Sequence, residues 1–374
     1  MITRQKFIHG ATASTAAAVG APFMLQACSS QAGQSSYESL VQSTWHPAKA
    51  PAGDKVLLYQ ELVRYATLAP SSHNTQCWKF RMEDNAITIL PDLARRTPAV
   101  DPDDHHLYVS LGCAAENLVH AALANGFKGD VQFDIASAGD GAIKVVLDPT
   151  KAVLTPPYLA IPERQCTRSE YDGTPLTSEE LRLLEQAGTG KGVRVMLLTS
   201  RASLESILAY VVEGNTVQMN DPAFVEELKS WIRFGSAEAV NTGDGLYSAT
   251  SGNMSGPRWL GSPLFDMFFT PKSENDKYAK HMRSSAGAAV FISETNDKAH
   301  WVEAGRCYER FALQATALGI RNAMLNQPVE VSALRPQFAT AFSMGSGRPD
   351  LVVRFGRGPV MPKSLRRSLQ SVLV

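Results

Sequence analysis

The chain has no excess of charge of either sign. Its 36 Lys plus Arg balance 36 Asp plus Glu, so no overall field draws it to nucleic acid, and pairs as short as Arg95-Arg96 do not change that. Cysteine is sparse, five in 374 residues. None forms a CxxC pair and no Cys/His group has zinc spacing, so the sequence assigns no metal site. Cys113 and Cys307 fall in helical segments and read as small buried apolar side chains. No GxGxxG follows a strand-like run, which removes a dinucleotide-binding Rossmann unit, and no GxSxG offers a nucleophile elbow. Asp101-Pro102-Asp103-Asp104 before His105-His106 suggests a metal cluster at first sight, but it reads better as acidic residues placed at the positive end of a helix.

A long hydrophobic run is also missing. Residues 11–27 are too short and too polar to span a membrane, yet residues 1–28 have a basic start, an Ala/Thr/Gly-rich middle and a small-residue exit, the layout of an export signal. The string TRQKFI resembles a twin-arginine motif with Gln5 in place of the second arginine. Leu25-Gln26-Ala27-Cys28 resembles a lipobox, which implies a periplasmic lipoprotein held at a membrane by acyl chains on Cys28. Residues 29–53, rich in Ser, Gln, Ala, Gly and Pro, are then expected to be a flexible tether. A cytoplasmic protein with an unstructured head is the alternative.

What remains is 44% hydrophobic and 19% charged over the whole chain, ordinary for a globular protein. Asp54 should cap an amphipathic helix stopped by Pro70, with Val56, Leu57, Leu62, Val63 and Ala66 buried. Trp78 to Met82 and the run AITIL after Glu83-Asp84-Asn85 predict a hairpin, and VQFDIA and AIKVVLD predict another. Further on, a Thr177–Glu180 capping box opens a helix, and strands are predicted at 193–199, 287–293 and 350–356. Hairpins mixed with helices give an α+β class with mostly antiparallel sheets.

The two halves align on each other. Residues 110–127 match 303–320 without a gap at an offset of 193, pairing Gly112 with Gly305 and Glu116 with Glu309. This predicts two fused pseudo-symmetric halves, 54–157 and 158–374, each built on a long core helix. Residues 240–275, Gly- and Ser-rich with Tyr247, Trp259, Phe265, Phe268 and Phe269, interrupt the second half as a candidate lid.

Two short strings carry the chemistry. Residues 69–78 read APSSHNTQCW and residues 164–168 read RQCTR. Together they resemble the flavin-binding signature of the nitroreductase-like flavoproteins, in the Acg-type branch where the Pro-Ser loop precedes the arginines and one chain contains both halves of a dimer. The resemblance implies bound FMN. Pro70, Ser71, Ser72, Asn74 and Gln76 would lie along the ring, and Arg164, Gln165, Cys166 and Arg168 would grip the phosphate. Cys166 and Cys77 replace the Ser or Thr and the Pro usual there. The resemblance also places Met324 and Leu325 against the ring and Arg366 and Arg367, with Lys363 behind them, in a basic tail over the phosphate.

The activity implied is an FMN-dependent oxidoreductase. Electrons would pass from a small-molecule donor such as NAD(P)H to a nitroaromatic, a quinone or a similar conjugated acceptor, with no side chain as nucleophile. NAD(P)H is scarce outside the cytoplasm, so an FMN-binding store or electron carrier is the second reading. A surface lipoprotein without a cofactor is the third.

Overall fold

The computed structural model describes residues 33–47, 54–134 and 140–374; the export signal read at 1–28 lies outside the described residues. Residues 33–44 form helix α1. The first half continues with α2 (Lys55–Thr67), β1 (Trp78–Met82), β2 (Ala86–Pro91), α3 (His105–Ala124), β3 (Phe127–Asp134), β4 (Ala142–Pro149) and α4 (Pro156–Ala160). The second half runs α5 (Ser178–Gly188), β5 (Val193–Leu198), α6 (Arg201–Met219), α7 (Pro222–Trp231), β6 (Ile232–Arg233), α8 (Ser236–Thr242), β7 (Leu246–Tyr247), α9 (Arg258–Phe268), α10 (Pro271–Arg283) and β8 (Gly287–Ser293). It closes with α11 (Lys298–Ala317), β9 (Arg321–Met324), α12 (Gln327–Glu330), α13 (Arg335–Ala341) and β10 (Arg348–Gly356).

Each half carries one four-stranded antiparallel sheet, ordered β1-β2-β4-β3 in the first and β5-β8-β10-β9 in the second. The long helices α3 and α11 cross between them, and their glycines explain how closely. A Cβ on Gly112 would lie 2.0 Å from the carbonyl oxygen of Val302, and one on Gly305 would lie 2.0 Å from that of Val109. Adding 193 to 109 and to 112 gives 302 and 305, so the two contacts are one contact repeated, the reciprocity of a two-fold interface. The α+β class and the pseudo-symmetric halves are therefore as expected. α3 is long and apolar enough to cross a membrane by length and composition, but it is mostly buried as a core helix.

Two local expectations change. Asp54 does cap α2, accepting from the Val56 and Leu57 backbone N–H groups, and Leu62, Val63 and Ala66 are buried. Val56 and Leu57 are instead half-exposed, because they belong to the first turn, which points away from the core. The tether expected over 29–53 is replaced in its described part by α1. Tyr37 and Trp45 are buried, donating to the Lys363 and Ser364 carbonyls, and Trp45 lies under the Lys363 and Arg366 cations.

Candidate functional site

The Pro-Ser loop leaves the end of α2 as a strained turn. His73, Asn74 and Gln76 have φ of 48°, 53° and 53°, the left-handed region that costs side-chain-bearing residues about 1–3 kcal/mol each. Specific contacts hold it there. The Ser71 hydroxyl accepts from the Gln76 N–H at 2.9 Å. The Asn74 amide donates to the Gly245 carbonyl at 3.0 Å and accepts from Arg366 at 3.1 Å. The Gln76 side chain donates to the Gly243 carbonyl at 2.9 Å and accepts from the Arg367 N–H at 2.8 Å. Pro70, Ser71 and Ser72 are partly exposed at the loop's start. Burial and the nearby Arg168 push the His73 imidazole down to about 4.

The arginine string comes from the other half and runs beside β9. Cys166 bridges Asn322 in parallel, and the Thr167 N–H donates to the Asn322 carbonyl at 2.8 Å. The Gln165 amide is taken up by the Met361 backbone. Arg164 turns inward. Its Nε lies 3.1 Å from a Glu309 oxygen and it donates to the Leu68 carbonyl at 2.8 Å. Burial pushes the Glu309 carboxyl up to about 7 despite Arg164. Although burial opposes its charge, Glu309 holds Arg164 above the usual guanidinium range.

Three arginines of the expected phosphate grip bind protein groups in this structure. Arg164 serves Glu309 and Leu68. Arg366 donates to the Thr67, Leu68 and Ala69 carbonyls at the end of α2, a cationic cap on the helix's negative end; burial and Arg164 push it down to about 9. Arg367 reaches the Gln76 and Ser371 carbonyls and Asp92. Lys363 donates to the Pro162 carbonyl. The tail therefore clamps the loop. Leu325 is buried in an apolar cluster and pairs its N–H with Val352, and the half-buried Met324 lies on β9.

Among the described residues, Arg168 and Arg321 stand at this place with no hydrogen bond or ion pair to their side chains. Beside them are buried polar atoms without partners: Thr167 Oγ1, Asn322 Nδ2, Arg321 Nε and Arg354 Nε. Arg354 is fully buried, 4.0 Å from the Tyr171 ring, and donates to the Thr167 and Ser169 carbonyls. Such atoms cost free energy unless something pairs with them. The resemblance places the stretch from Arg321 to Leu325 at the flavin but singles out Met324 and Leu325 rather than Arg321 and Asn322, and it misses Arg354, which sits in a strand pattern that gives no local sign of a partner. The backbone adjacency of Arg321 to the proposed ring contact at 324–325 was the available hint.

The candidate lid divides. Its first part lies on the site, where Gly243 and Gly245 accept from the loop and a Cβ on Gly252 would lie 3.6 Å from the Arg168 carbonyl. Its second part, α9, faces solvent.

The Asp101, His105 and His106 side chains come together, but as a helix start. Both Asp101 oxygens accept N–H groups of the first turn of α3, from His106 and Leu107. His105 and Arg348 share Asp350. A cavity of about 480 Å³ opens above this cluster, between Val100, Phe224, Glu330 and Arg335. It is lined by neither the Pro-Ser loop nor the arginine string.

No family model matches the chain. A Mycobacterium tuberculosis H37Rv protein with the provisional name NAD(P)H nitroreductase is 25% identical over 323 residues, covering 82% of this chain and 88% of its own. Another from the same organism, NAD(P)H nitroreductase acg, also provisionally named, is 22% identical over 322 residues, covering 83% and 93%. Among solved structures, a Desulfitobacterium hafniense nitroreductase with bound FMN has a TM-score of 0.37 at 12% identity, covering 58% of this chain and 95% of that one. The FMN-dependent nitroreductase NfnB of Mycobacterium smegmatis, in complex with NADPH, has a TM-score of 0.36 at 13% identity, covering 57% and 94%. Likeness at such scores leaves the fold to be argued from the chain's own topology. In sequence, the chain is similar over about four-fifths of its length to mycobacterial proteins named as NAD(P)H nitroreductases.

Proposed function

We propose that this chain is an FMN-dependent oxidoreductase of the nitroreductase type. The observation that carries the reading is the joint. The strained polar loop of the first half, whose His73 feels the charge of Arg168, meets an arginine string of the second that carries the unpaired Arg168 and the unsatisfied Thr167, alongside Arg321 and Asn322 of β9. Sequence similarity to proteins named as NAD(P)H nitroreductases supports it.

The donor set fits the cofactor. FMN offers a dianionic phosphate and an acceptor-rich ring edge, and the free groups are mostly donors: two guanidinium groups, an amide N–H₂ and a hydroxyl. Arg168, Arg321, Asn322 Nδ2 and Thr167 Oγ1 would hold it, with Ser71 and Ser72 at the loop's open start. Arg164, Arg366 and Arg367 would set the loop's position, and the 243–252 segment would keep water out. When bound, FMN supplies the electron transfer, and the chain supplies binding, orientation and charge. One FMN per chain, electrons from NAD(P)H or another small donor, and a nitroaromatic, quinone or related acceptor complete the reading.

A second reading, an FMN store or electron carrier, draws on one contact set: the Gly243 and Gly245 carbonyls are bonded directly to Gln76 and Asn74, which would close the ring's surroundings. In either case we place the protein outside the cytoplasm, anchored by acyl chains on Cys28, with a cytoplasmic location as the alternative.

The test is the visible spectrum of the purified chain, followed by anaerobic titration with NADPH. A yellow protein bleached by NADPH is expected. Bound flavin that NADPH cannot bleach would favour the store or carrier, and a colourless protein that FMN cannot reconstitute would overturn both.

A further inference from the structure

Helix α9 exposes far more apolar side chain than a surface helix usually does. None of its residues is buried. Trp259 and Phe268 are each 64% exposed and Met267 is 66% exposed, with Leu260 and Leu264 beside them and Met254 in the preceding turn. Phe265 and Gly261 seat its inner side on the Phe234 ring, and two exposed ion pairs flank that contact. Arg258 pairs with Glu238 at 2.7 Å and Asp266 pairs with Lys229 at 2.6 Å. A folded surface seldom gathers Trp, Phe, Met and Leu outward on one helix unless something apolar covers them.

The path of the chain says what covers them. Gly33, the first described residue, lies against the start of α8: a Cβ on it would be 3.2 Å from Ser236 Oγ and 3.3 Å from the Ala237 Cβ. A Cβ on the adjacent Gly235 would lie 2.8 Å from the Gly256 carbonyl, immediately before Pro257, which caps α9. The amino-terminal segment therefore departs beside α9. Cys28 precedes Gly33 by five residues, which reach at most about 18 Å. A lipid-bearing Cys28 would hold Gly33 within that reach of a bilayer surface, with the start of α9 close by. Trp with Leu, Met and Phe on one side of a short helix is the composition that settles at the boundary between headgroups and acyl chains.

We propose that the exposed side of α9 rests in the headgroup region of the membrane to which Cys28 is anchored. This rests on the lipid-anchor reading of Cys28 and is independent of the flavin reading.

The test uses the full chain, produced in a bacterium that processes lipoproteins and reconstituted into phosphatidylethanolamine/phosphatidylglycerol vesicles with brominated acyl chains. Bromine quenches tryptophan on contact. Wild type should float with the vesicles and lose part of its emission, and Trp259→Phe should float equally while losing that quenching. Equal quenching in the two proteins would overturn the proposal. Cys28→Ala should fail to float. If it floats with Trp259 still quenched, the anchor reading falls and the α9 contact stands. If it forms a dimer in solution that Met267→Ser/Phe268→Ser dissolves, the face belongs to a second copy and the proposal is overturned.

Discussion

Glu116 and Glu309 are the same residue twice, 193 positions apart on the paired helices α3 and α11, and they have opposite surroundings. Both are buried. Glu116 faces Arg306 at 2.9 Å, Arg310 at 3.1 Å and His120 at 3.5 Å. Burial opposes its charge, but Arg310 and Arg306 hold it below the usual carboxylate range. Glu309 has one guanidinium, Arg164, and an oxygen with no partner, and burial pushes it up to about 7. The closed network marks the end given over to stability. The half-satisfied one lies near the start of the Pro-Ser loop, where its partner Arg164 also donates to the Leu68 carbonyl. Duplication lets one chain treat two equivalent places differently, which a symmetric dimer cannot do.

The largest effect should come from opening the closed end. Arg306→Met with Arg310→Met strands Glu116 in the core and should cost about 3–5 kcal/mol in urea unfolding. FMN content per folded chain should stay unchanged; a cost below about 1 kcal/mol, within the range of exposed pairs, would mean the two ends do not differ as described. Next come the crossing glycines. Gly112→Ala and Gly305→Ala each drive a methyl into a carbonyl and should each cost about 3 kcal/mol. Near-equal losses are the signature of the repeated contact, and a strongly unequal pair would break the two-fold relation.

A smaller effect sharpens the other end. Arg168→Ala should weaken FMN retention by roughly tenfold to a hundredfold, the worth of a hydrogen bond to a charged group, with the unfolding midpoint unchanged. Unaltered retention would remove Arg168 from the site. The smallest effect concerns pH. Between the ordinary carboxylate range and about 7, folded chain keeps the Glu309 proton that unfolded chain has lost, so this group's contribution to stability falls as pH rises. Glu116 has the opposite sign: its contribution is present above the ordinary range and is lost as pH falls through the lowered value. Glu309→Gln should therefore flatten the stability profile between pH ~4.5 and ~7, and Glu116→Gln should act on the acid side. Parallel profiles for the two variants would contradict the assignment.

Much of this frame was legible because it is written locally. The Thr177–Glu180 capping box forms as the spacing requires, β8 spans Gly287–Ser293 as the hydrophobic run predicts, and the Gly112/Gly305 alignment anticipates the crossing. The site was legible only to the level of which segments meet. Arg164 and Arg168 look alike in sequence, and what separates them is Glu309, 145 residues away from Arg164. Arg366 and Arg367 read as a free basic tail because the backbone carbonyls that take most of their hydrogen bonds have no letter of their own. The docking of α1 was hidden for the same reason: Tyr37 and Trp45 bond to backbone at 363 and 364, in a stretch whose composition otherwise reads as linker.

That docking also sets an order of events during synthesis. Tyr37 and Trp45 close on carbonyls more than 300 residues downstream, while the Val374 N–H donates to Phe80 beside a Phe80–Leu373 bridge on β1. Helix α1 cannot dock until residues 363 and 364 have been made, and Phe80 lacks these partners until residues 373 and 374 follow. A nascent chain stalled before residue 363 would hold the core helices without the clasp that joins them to α1.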